Sequence, residues 1–213
     1  MCYDANMCDY KVVIEGGEGE IVEKKSRFIC TVKPVKTEKE AQAFVDEIKK
    51  KYWDAKHNCS AMVIGSNNEF ARCSDDGEPS GTAGRPMLEV LIGEGVHDVA
   101  CVVTRYFGGV LLGTGGLVRA YQASIKEGLA HSKIAVLVKG KKLKVTVDYT
   151  EYNRILNYLT SNNIKIENSE FTDIICLELS IRLSEAEKVK EDITEMTGGK
   201  AVMDDLGECD ILL

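Results

Sequence analysis

Two arginines frame a glycine-rich segment that is the first candidate for chemistry in this chain. Between Arg105 and Arg119 lie five glycines within nine positions, 108–116. Glycine serves where the backbone must adopt positive φ or where another group must come close, at a cost in conformational entropy. A strand-like apolar run, 99–103, precedes the segment, and apolar residues at helical spacing, 117–129, follow it. A glycine-rich strand-to-helix junction between two arginines predicts a site for an anion such as phosphate or carboxylate.

The known phosphate-binding fingerprints do not match this segment. The chain has no Gly-Lys-Ser/Thr sequence, which a P-loop requires, and Val118 stands where a dinucleotide-binding fingerprint would have its last glycine. A purely structural interpretation also stays open. In it the glycines permit close packing of helix against strand, and both arginines form structural ion pairs.

A second dense polar region, 72–85, holds three carboxylates within four positions. Asp75, Asp76 and Glu78 could form an acid/base pair or a hard-cation site, because neighbouring carboxylates raise one another's pKa unless a cation or N–H donors compensate. Turn formation alone is the alternative, since aspartate, glycine, proline and serine are what turns use. Ser80 and Thr82 are expected to cap the helix that follows.

His57 is the only histidine in the motif-rich part of the chain, so a serine-hydrolase triad has a single possible base. A Gly-x-Ser-x-Gly elbow is also missing from the sequence. The candidate catalytic residues are therefore Asp76, Glu78 and His57, and a structural role for the histidine is the alternative.

Composition excludes several classes of protein. The 213 residues are 44% hydrophobic with a net charge of −7, as expected of a globular protein of one large or two small domains. No apolar run approaches the roughly 20 residues of a membrane span, and a signal-peptide pattern is missing, so a cytoplasmic location without membrane contact is expected. Neither half is basic in bulk, with 17 basic against 19 acidic residues through Ala135 and 10 against 15 after it. Any anion site must therefore be local.

The cysteines and histidines indicate neither a disulfide scaffold nor a metal centre. Half of the eight cysteines lie in strand-like runs of a long chain, so we expect reduced thiols. The sequence has no Cys-x-x-Cys pair, and its three histidines are far apart, so zinc spacing is absent. No cofactor and no metal are predicted.

The first part of the chain predicts a mixture of strands and helices. The first ten residues show no clear pattern. Strands are expected at 11–15 and 21–35, with a hairpin turn at Gly16, Gly17 and Gly19. Thr37 and Glu40 form a capping box before a helix, 57–65 alternates as a strand, and Pro86 is expected at the first position of a short helix.

Beyond residue 139 the pattern becomes strand, helix, strand, strand, helix, strand. Ser184 and Glu187 form a predicted capping box for the second helix, and Gly198 and Gly199 end it. This order is that of a ferredoxin-like split βαβ unit. The fold class expected is α+β, with an N-terminal domain at 1–137 and a ferredoxin-like domain at 138–213.

Specific strings in the chain resemble the YigZ/IMPACT family. The strings are 75–85 and 104–119, together with His57-Asn58-Cys59 and Lys25-Ser26-Arg27-Phe28. The resemblance covers roughly 21–129, and the C-terminal part is similar to the ferredoxin-like domain of bacterial YigZ proteins. Ser60 departs from the pattern, because relatives more often have an aromatic residue there.

The resemblance implies a fold and a direction for function. It implies an N-terminal domain similar to the second domain of ribosomal protein S5, followed by a domain similar to those of elongation factor G. Eukaryotic IMPACT proteins resemble translation regulators that compete for the activator of a kinase. That mechanism is not expected here, because the additional N-terminal domain of those relatives is not in this sequence.

The leading hypothesis from the sequence is a non-enzymatic regulatory factor of translation or stress response that binds RNA or a ribosome-associated protein. Arginines would contact phosphates, and Tyr106 or Phe107 would stack on an unpaired base. The alternatives are a small-molecule anion-binding enzyme or sensor and a protein-interaction module. The predicted binding residues are Ser80, Thr82, Arg85, Arg105, Tyr106, Gly108, Gly109, Gly113, Gly115, Gly116 and Arg119.

Overall fold

The chain divides into two units, each of mixed α and β structure. A computed structural model describes residues 9–213. One unit spans Tyr10–Val136, and the other comprises Leu137–Leu213 together with Asp9. Two of the cysteines expected to be reduced, Cys2 and Cys8, lie outside the described residues, as does most of the N-terminal segment for which no pattern was found. The α+β fold class with two domains is confirmed.

The first unit is built on a five-stranded antiparallel sheet in the order β2-β3-β7-β4-β5. A short parallel pair, β1 with β6, lies outside this sheet. The strands are β1 (Tyr10–Glu15), β2 (Glu18–Glu23), β3 (Ser26–Pro34), β4 (His57–Ile64), β5 (Phe70–Ser74), β6 (Val96–His97) and β7 (Val99–Tyr106). The helices are α1 (Glu38–Lys51), α2 (Gly84–Gly93) and α3 (Thr114–Ala130).

The central strand β7 is buried on both faces, which explains why its sequence is an uninterrupted apolar run. Cys101 and Val103 belong to the core that packs against α2 and α3. Ala100 and Val102 belong to the core that packs against α1. Successive side chains of a strand point to opposite faces, so one strand supplies both cores. The helices therefore cover both faces of the sheet.

The hairpin predicted at Gly16, Gly17 and Gly19 is wrong in position. The chain reverses instead at Lys24 and Lys25, which have φ values of +45° and +67° between β2 and β3. Two consecutive positive φ values are the pattern of a type I′ turn. Gly16 serves close packing, since a Cβ there would lie 2.0 Å from the backbone oxygen of Val32.

The N-terminal caps of the helices follow the sequence in part. Thr37 caps α1 as predicted, its Oγ1 accepting from the Glu40 N–H at 3.2 Å. In a capping box the Glu40 carboxylate would accept from the N–H of Thr37. Here it accepts from the N–H of the preceding residue, Lys36, at 2.7 Å. Pro86 is the third residue of α2 and not the first, because α2 begins at Gly84. Strand β5 was not predicted.

The second unit has the predicted βαββαβ order. Its sheet runs β9-β10-β8-β11 and all of its pairs are antiparallel, which is the ferredoxin-like arrangement. The predicted Ser184 capping box is wrong, because a 3₁₀ turn over Leu183–Glu185 leads directly into the second helix. The elements are β8 (Lys133–Val147), α4 (Tyr149–Ser161), β9 (Lys165–Phe171), β10 (Ile175–Arg182), α5 (Ala186–Met196) and β11 (Val202–Leu212).

Among residues 9–213, no helix combines the length and the apolar character that crossing a membrane requires. The cysteines in this range are free thiols, and three of them, Cys30, Cys59 and Cys101, are buried in the core of the first unit.

Candidate functional site

The motif residues of the first unit collect where the strands of its five-stranded sheet begin or end on one side. We call this strand-end side of the sheet the motif edge. Strands β3 and β4 begin at this edge and β7 ends there, since Arg27 is paired with Tyr106 and His57 with Arg105. Four connecting segments meet there: the Lys24–Lys25 turn, residues 52–56, residues 75–83 and residues 107–113. The antiparallel register therefore brings together segments that are far apart in sequence.

A buried ion pair forms the centre of the motif edge. Arg105 Nη1 donates to Glu78 Oε1 at 2.7 Å, and the two side chains are only 8% and 3% exposed. Tyr121 donates its hydroxyl to the same carboxylate oxygen at 2.9 Å. The guanidinium carbon of Arg105 also lies 5.4 Å from the centroid of the Phe28 ring. Arg105 was expected to contact phosphates, but its side chain is buried and its Nη1 is already paired with Glu78.

The thiol at this centre is not a nucleophile at neutral pH. Cys59 Sγ lies 3.0 Å from the Asp75 carbonyl oxygen and 3.3 Å from the Tyr121 hydroxyl. Burial raises the pKa of Cys59 to about 12, and burial likewise raises the pKa of Tyr121 far above its usual range. Because the thiolate is the reactive species, this cysteine has a packing role.

Asp75 organises the loop that precedes α2. Its Oδ1 accepts from the N–H groups of Ala83 and Gly84 at 3.0 and 2.8 Å, and its Oδ2 accepts from Gly81 N–H at 2.8 Å. Burial alone would raise the pKa of Asp75, but the three donors outweigh burial and hold the pKa below its ordinary value. Asp75 therefore caps α2 from outside the helix.

Ser80 and Thr82, which were expected to supply the cap of α2, do not do so. The Thr82 hydroxyl donates to the Pro79 carbonyl oxygen at 2.6 Å. The N-cap residue itself is Ala83, whose methyl side chain cannot accept a hydrogen bond. The carboxylate of Asp75 is the better acceptor for these N–H groups because it is charged.

Asp76 and the start of β4 at His57 are linked by hydrogen bonds that involve backbone groups. Asp76 Oδ2 accepts from the Asn58 N–H at 2.7 Å, and Lys49 forms an ion pair with the same carboxylate. His57 Nδ1 lies 2.9 Å from the Asp76 carbonyl oxygen. A carbonyl oxygen can only accept, so Nδ1 carries the proton and Nε2 of the neutral ring is an acceptor. Asp75, Asp76 and Glu78 thus each have their own N–H donors or cation. These partners offset the repulsion between neighbouring carboxylates that the sequence predicted.

A cavity of about 310 Å³ opens beside the buried ion pair. We call it the Arg105 pocket. Its polar lining includes Lys56, His57, Glu78 and Arg105, and its apolar lining includes Phe107 and Leu111. Arg105 and Glu78 cancel in charge, so the exposed Lys56 ammonium gives the pocket a positive rim. Of the three candidate catalytic residues, His57 and Glu78 line the pocket and Asp76 does not.

Arg119 lies at a different cavity from Arg105, so the two arginines do not frame one site as the sequence suggested. The second cavity, of about 270 Å³, is lined by Lys24, Leu112, Gly116 and Arg119 among others. A Cβ at Gly115 would lie 3.7 Å from Arg119 Nη1, which places the guanidinium over the first turn of its own helix. That turn contains no acidic residue, and its N-cap is Gly113, which has no side chain to accept from the N–H groups of the turn.

The glycines between β7 and α3 have distinct roles. Gly108 lies against the Lys24–Lys25 turn, since a Cβ there would be 2.0 Å from the Lys25 carbonyl carbon, and its N–H donates to Ser26 Oγ at 3.1 Å. Gly109 and Gly113 have φ of +83° and +73°. Gly115 and Gly116 fall in the first turn of α3.

Substitution of Gly108 by alanine should disrupt the docking of this segment on the Lys24–Lys25 turn. The new methyl group would meet backbone atoms, which cannot move away as a side-chain tip can, so we expect a loss of about 1–3 kcal/mol in the free energy of unfolding. Gly93→Ala is the matched control, because its Cβ would meet open space without a positive φ. Urea unfolding of both variants checks this, and equal stabilities would contradict the packing role of Gly108.

The remaining predicted binding residues occupy the periphery of the motif edge. Tyr106 donates its hydroxyl to Asp54 Oδ1 at 2.8 Å, and Arg27 lies over its ring. Arg85 is exposed and paired with Glu89 on α2. No cluster of three or more His, Cys, Asp or Glu side chains suited to a metal ion occurs within residues 9–213.

Several exposed residues of the motif edge were missed by sequence reasoning. Trp53, the only tryptophan of the chain, is 83% exposed, as is Leu111. Lys24, Lys25 and Lys56 are exposed and make no ion pair with any residue in 9–213. A side chain as large and apolar as tryptophan is rarely so exposed. Its position after a triple lysine was the one sequence feature that could have drawn attention to it.

The fold and the site together define a two-domain α+β protein whose N-terminal domain gathers its motifs at one sheet edge. The Impact N-terminal domain family matches residues 24–129, and a domain of unknown function, DUF1949, matches residues 145–200. The chain belongs to the IMPACT family, which confirms the resemblance found in the sequence.

Bacterial relatives match across most of the chain. IMPACT family member YvyE of Bacillus subtilis is 45% identical over 192 residues, which cover 90% of this chain and 88% of that protein. IMPACT family member YigZ of Escherichia coli K12 is 34% identical, with 83% of this chain and 87% of that protein covered. The Protein IMPACT homolog of Dictyostelium discoideum is 36% identical, but only 44% of this chain and 28% of that protein are covered.

A solved structure shares the two-domain architecture. A crystal structure described as that of a hypothetical protein is 31% identical, with a TM-score of 0.60. The match covers 92% of this chain and 97% of the solved one. Its description names no activity.

Proposed function

We propose that this protein is a regulatory factor linked to translation that binds single-stranded RNA at the motif edge of its N-terminal domain. The observation that carries the proposal is the mixture of unpaired cations and exposed aromatic rings along this edge. Single-stranded RNA is commonly held by cationic side chains that follow the phosphates and by aromatic rings on which bases stack. The link to translation rests on membership of the family that includes the IMPACT proteins.

Four cations of the motif edge are suited to phosphates because none of them forms an ion pair among the described residues, although Glu23 lines the same cavity as Lys24 and Arg119. Lys24, Lys25, Lys56 and Arg119 are all exposed and unpaired within residues 9–213. Arg119 lies over the N-terminal turn of α3, where the helix dipole is positive and a second positive charge is unfavourable. A bound phosphate would relieve that repulsion. The acidic net charge of the chain does not oppose this, because the cations are concentrated locally.

The aromatic residues of the motif edge supply stacking surfaces. Trp53 is 83% exposed and Phe107 is 54% exposed. Trp53 adjoins Asp54, which holds the Tyr106 hydroxyl, so the tryptophan lies close to the end of β7. Stacking of a base on an aromatic side chain contributes about 1–3 kcal/mol. Tyr106 and Phe107 each have a guanidinium beside the ring, since Arg27 lies 5.9 Å from the Tyr106 centroid and Arg105 lies 5.6 Å from the Phe107 centroid. Trp53 therefore offers the principal stacking surface.

Removing three unpaired lysines should weaken RNA binding and flatten its salt dependence. For Lys24→Ala/Lys25→Ala/Lys56→Ala we expect the log–log slope of affinity against salt to fall by about 2 in magnitude, since each phosphate contact on a single strand contributes about 0.7. Fluorescence anisotropy with a short labelled RNA over a salt series measures this slope. Quenching of the single tryptophan gives an independent signal from the same edge.

The matched control removes the same charge from elsewhere in the N-terminal domain. Lys11, Lys39 and Lys133 are also exposed and unpaired among the described residues, but they lie outside the motif edge. The variant Lys11→Ala/Lys39→Ala/Lys133→Ala should keep the slope of the unmodified protein. Equal slopes for the two triple variants, or no binding at low salt by the unmodified protein, would reject the proposal.

A further inference from the structure

Exposed apolar side chains collect at one end of the C-terminal sheet, beside the turn that joins β9 to β10. We call this group the hairpin patch; it comprises Tyr149, Tyr152, Phe171 and Ile174. Tyr149, Phe171 and Ile174 are 53%, 52% and 42% exposed. Tyr152 packs edge-to-face against the Phe171 ring, and the two ring centroids are 5.6 Å apart. Single exposed apolar residues are ordinary on a protein surface, whereas contiguous ones mark interaction sites.

Hydrogen bonds within the C-terminal domain hold the hairpin patch in place. The Tyr149 hydroxyl donates to the Thr172 carbonyl oxygen at 2.7 Å, which ties the start of α4 to the hairpin turn. The turn is closed by Thr172, whose N–H and hydroxyl donate to the Ile174 carbonyl oxygen at 3.0 and 3.1 Å. Because the tyrosine hydroxyl is bound within the protein, its ring is left as an apolar surface. A surface that is ordered in advance loses less entropy when a partner binds.

The rim of the hairpin patch is acidic. Asp148, Glu170 and Asp173 each adjoin a patch residue in sequence, and all three are exposed. Asp148 is the N-cap of α4, yet its carboxylate makes no capping bond. The basic residue nearest to the patch in sequence, Arg154, donates instead to the Met196 carbonyl oxygen at 2.6 Å. Among residues 9–213, the three rim carboxylates have no ion-pair partner.

The combination of aromatic rings and unpaired carboxylates fits one class of partner. RNA bases stack on aromatic rings, but the phosphates would meet three carboxylates here, so the patch repels nucleic acid. A second copy of the chain would bring two sets of carboxylates together, because a twofold interface places the same surface on both sides. A basic polypeptide segment supplies both an apolar side chain for the rings and cations for the rim.

We propose that the hairpin patch binds a lysine- or arginine-rich segment of a partner protein. An apolar side chain of that segment packs against Phe171 and Ile174, and its cations pair with the acidic rim. Aromatic residues are enriched in protein interfaces and commonly form their energetic centre. The C-terminal domain thereby gains a ligand opposite in charge to the RNA proposed for the motif edge, and this inference does not rest on that function.

The test compares three short peptides for binding to the full chain by fluorescence anisotropy. The first is a labelled acetyl-Arg-Leu-Arg-Trp-Arg-Leu-Arg-amide. The second has glutamate in place of every arginine, and the third has serine in place of the leucines and the tryptophan. We expect the first peptide to bind at least about tenfold tighter than either of the others, because only it offers both the apolar anchor and the cations.

A charge variant and its matched control locate the electrostatic part of the binding. Neutralising the three rim carboxylates should lower the affinity for the first peptide about tenfold and flatten its salt dependence. This variant is Asp148→Asn/Glu170→Gln/Asp173→Asn. The control neutralises three exposed carboxylates of α5 and β11 that also lack ion pairs among the described residues, and its affinity should be unchanged. The control is Glu191→Gln/Glu195→Gln/Glu208→Gln.

A second pair of variants locates the apolar part. Phe171→Ser should lower the affinity for the first peptide about tenfold, as expected for an aromatic residue at the centre of an interface. Leu206→Ser, which changes a comparably exposed apolar residue of β11, should leave it unchanged. Equal binding of the three peptides, no binding of the first, or equal affinities of these two variants would overturn the inference. Loss of RNA binding or of self-association in Phe171→Ser, in place of peptide binding, would assign the patch to another occupant and overturn it as well.

Discussion

Glu78→Ala should destabilise the N-terminal domain by about 3–5 kcal/mol, the largest single effect that we expect in this protein. The substitution leaves the Arg105 charge buried without its partner, because the two side chains are only 8% and 3% exposed. It also removes the acceptor of the Tyr121 hydroxyl. Equilibrium unfolding in urea, followed by circular dichroism, measures the loss.

Glu89→Ala is the matched control for this prediction. Glu89 is the exposed partner of Arg85, in a pair whose side chains are 68% and 54% exposed. Exposed pairs contribute about 0–1 kcal/mol because water screens them. A similar loss of stability in the two variants would show that the Glu78–Arg105 pair is not the buried centre of the domain. Glu78→Gln, which keeps the acceptor oxygen, should fall between them.

Asp75→Ala should destabilise the same domain by roughly 3 kcal/mol. Three backbone N–H groups, those of Gly81, Ala83 and Gly84, lose their acceptor at once. Hydrogen bonds to charged groups contribute about 1.5–3 kcal/mol each, and part of this loss is recovered by water at the loop surface. Asp75→Asn should cost less, because its one remaining oxygen can still accept from Ala83 and Gly84.

The stability contributed by Asp75 should also depend on pH. The pKa of Asp75 is lower in the folded protein than in the unfolded chain, so folding favours the ionised carboxylate. The contribution is therefore complete above the unfolded pKa, near 3.9, and is lost as the pH falls through the folded pKa. Urea unfolding of the unmodified protein and of Asp75→Asn between pH 7 and about pH 3 should show their difference shrinking in acid. A constant difference would contradict the role of the carboxylate charge.

Local patterns determined most of the fold. The 3.6-residue spacing of apolar side chains gave α1 and α3, and the βαββαβ order of the C-terminal domain followed from alternation of strand and helix patterns. Thr37 was recognised as a cap because its acceptor lies three residues from the donor it satisfies. These are interactions between residues that are close in sequence, which a sequence displays directly.

The errors arose where distant parts of the chain meet. The glycines at 16, 17 and 19 resembled a turn, but they are required by atoms of Val32, His131 and Glu127. Ser80 and Thr82 resembled helix caps, but Asp75 takes their place from outside the helix. In each case a partner that is remote in sequence, or a competing charged acceptor, decided the outcome.

The sequence by itself determined the family and singled out the two dense motifs, both of which lie at the motif edge. Only the tertiary structure decided the role of each residue. It buried Arg105 against Glu78, placed Arg119 at a different cavity, and exposed Trp53 at the motif edge and Lys56 at the rim of the Arg105 pocket. The physical reason is that burial and pairing depend on strand register, and register is set by the summed packing of the whole sheet and not by any one motif.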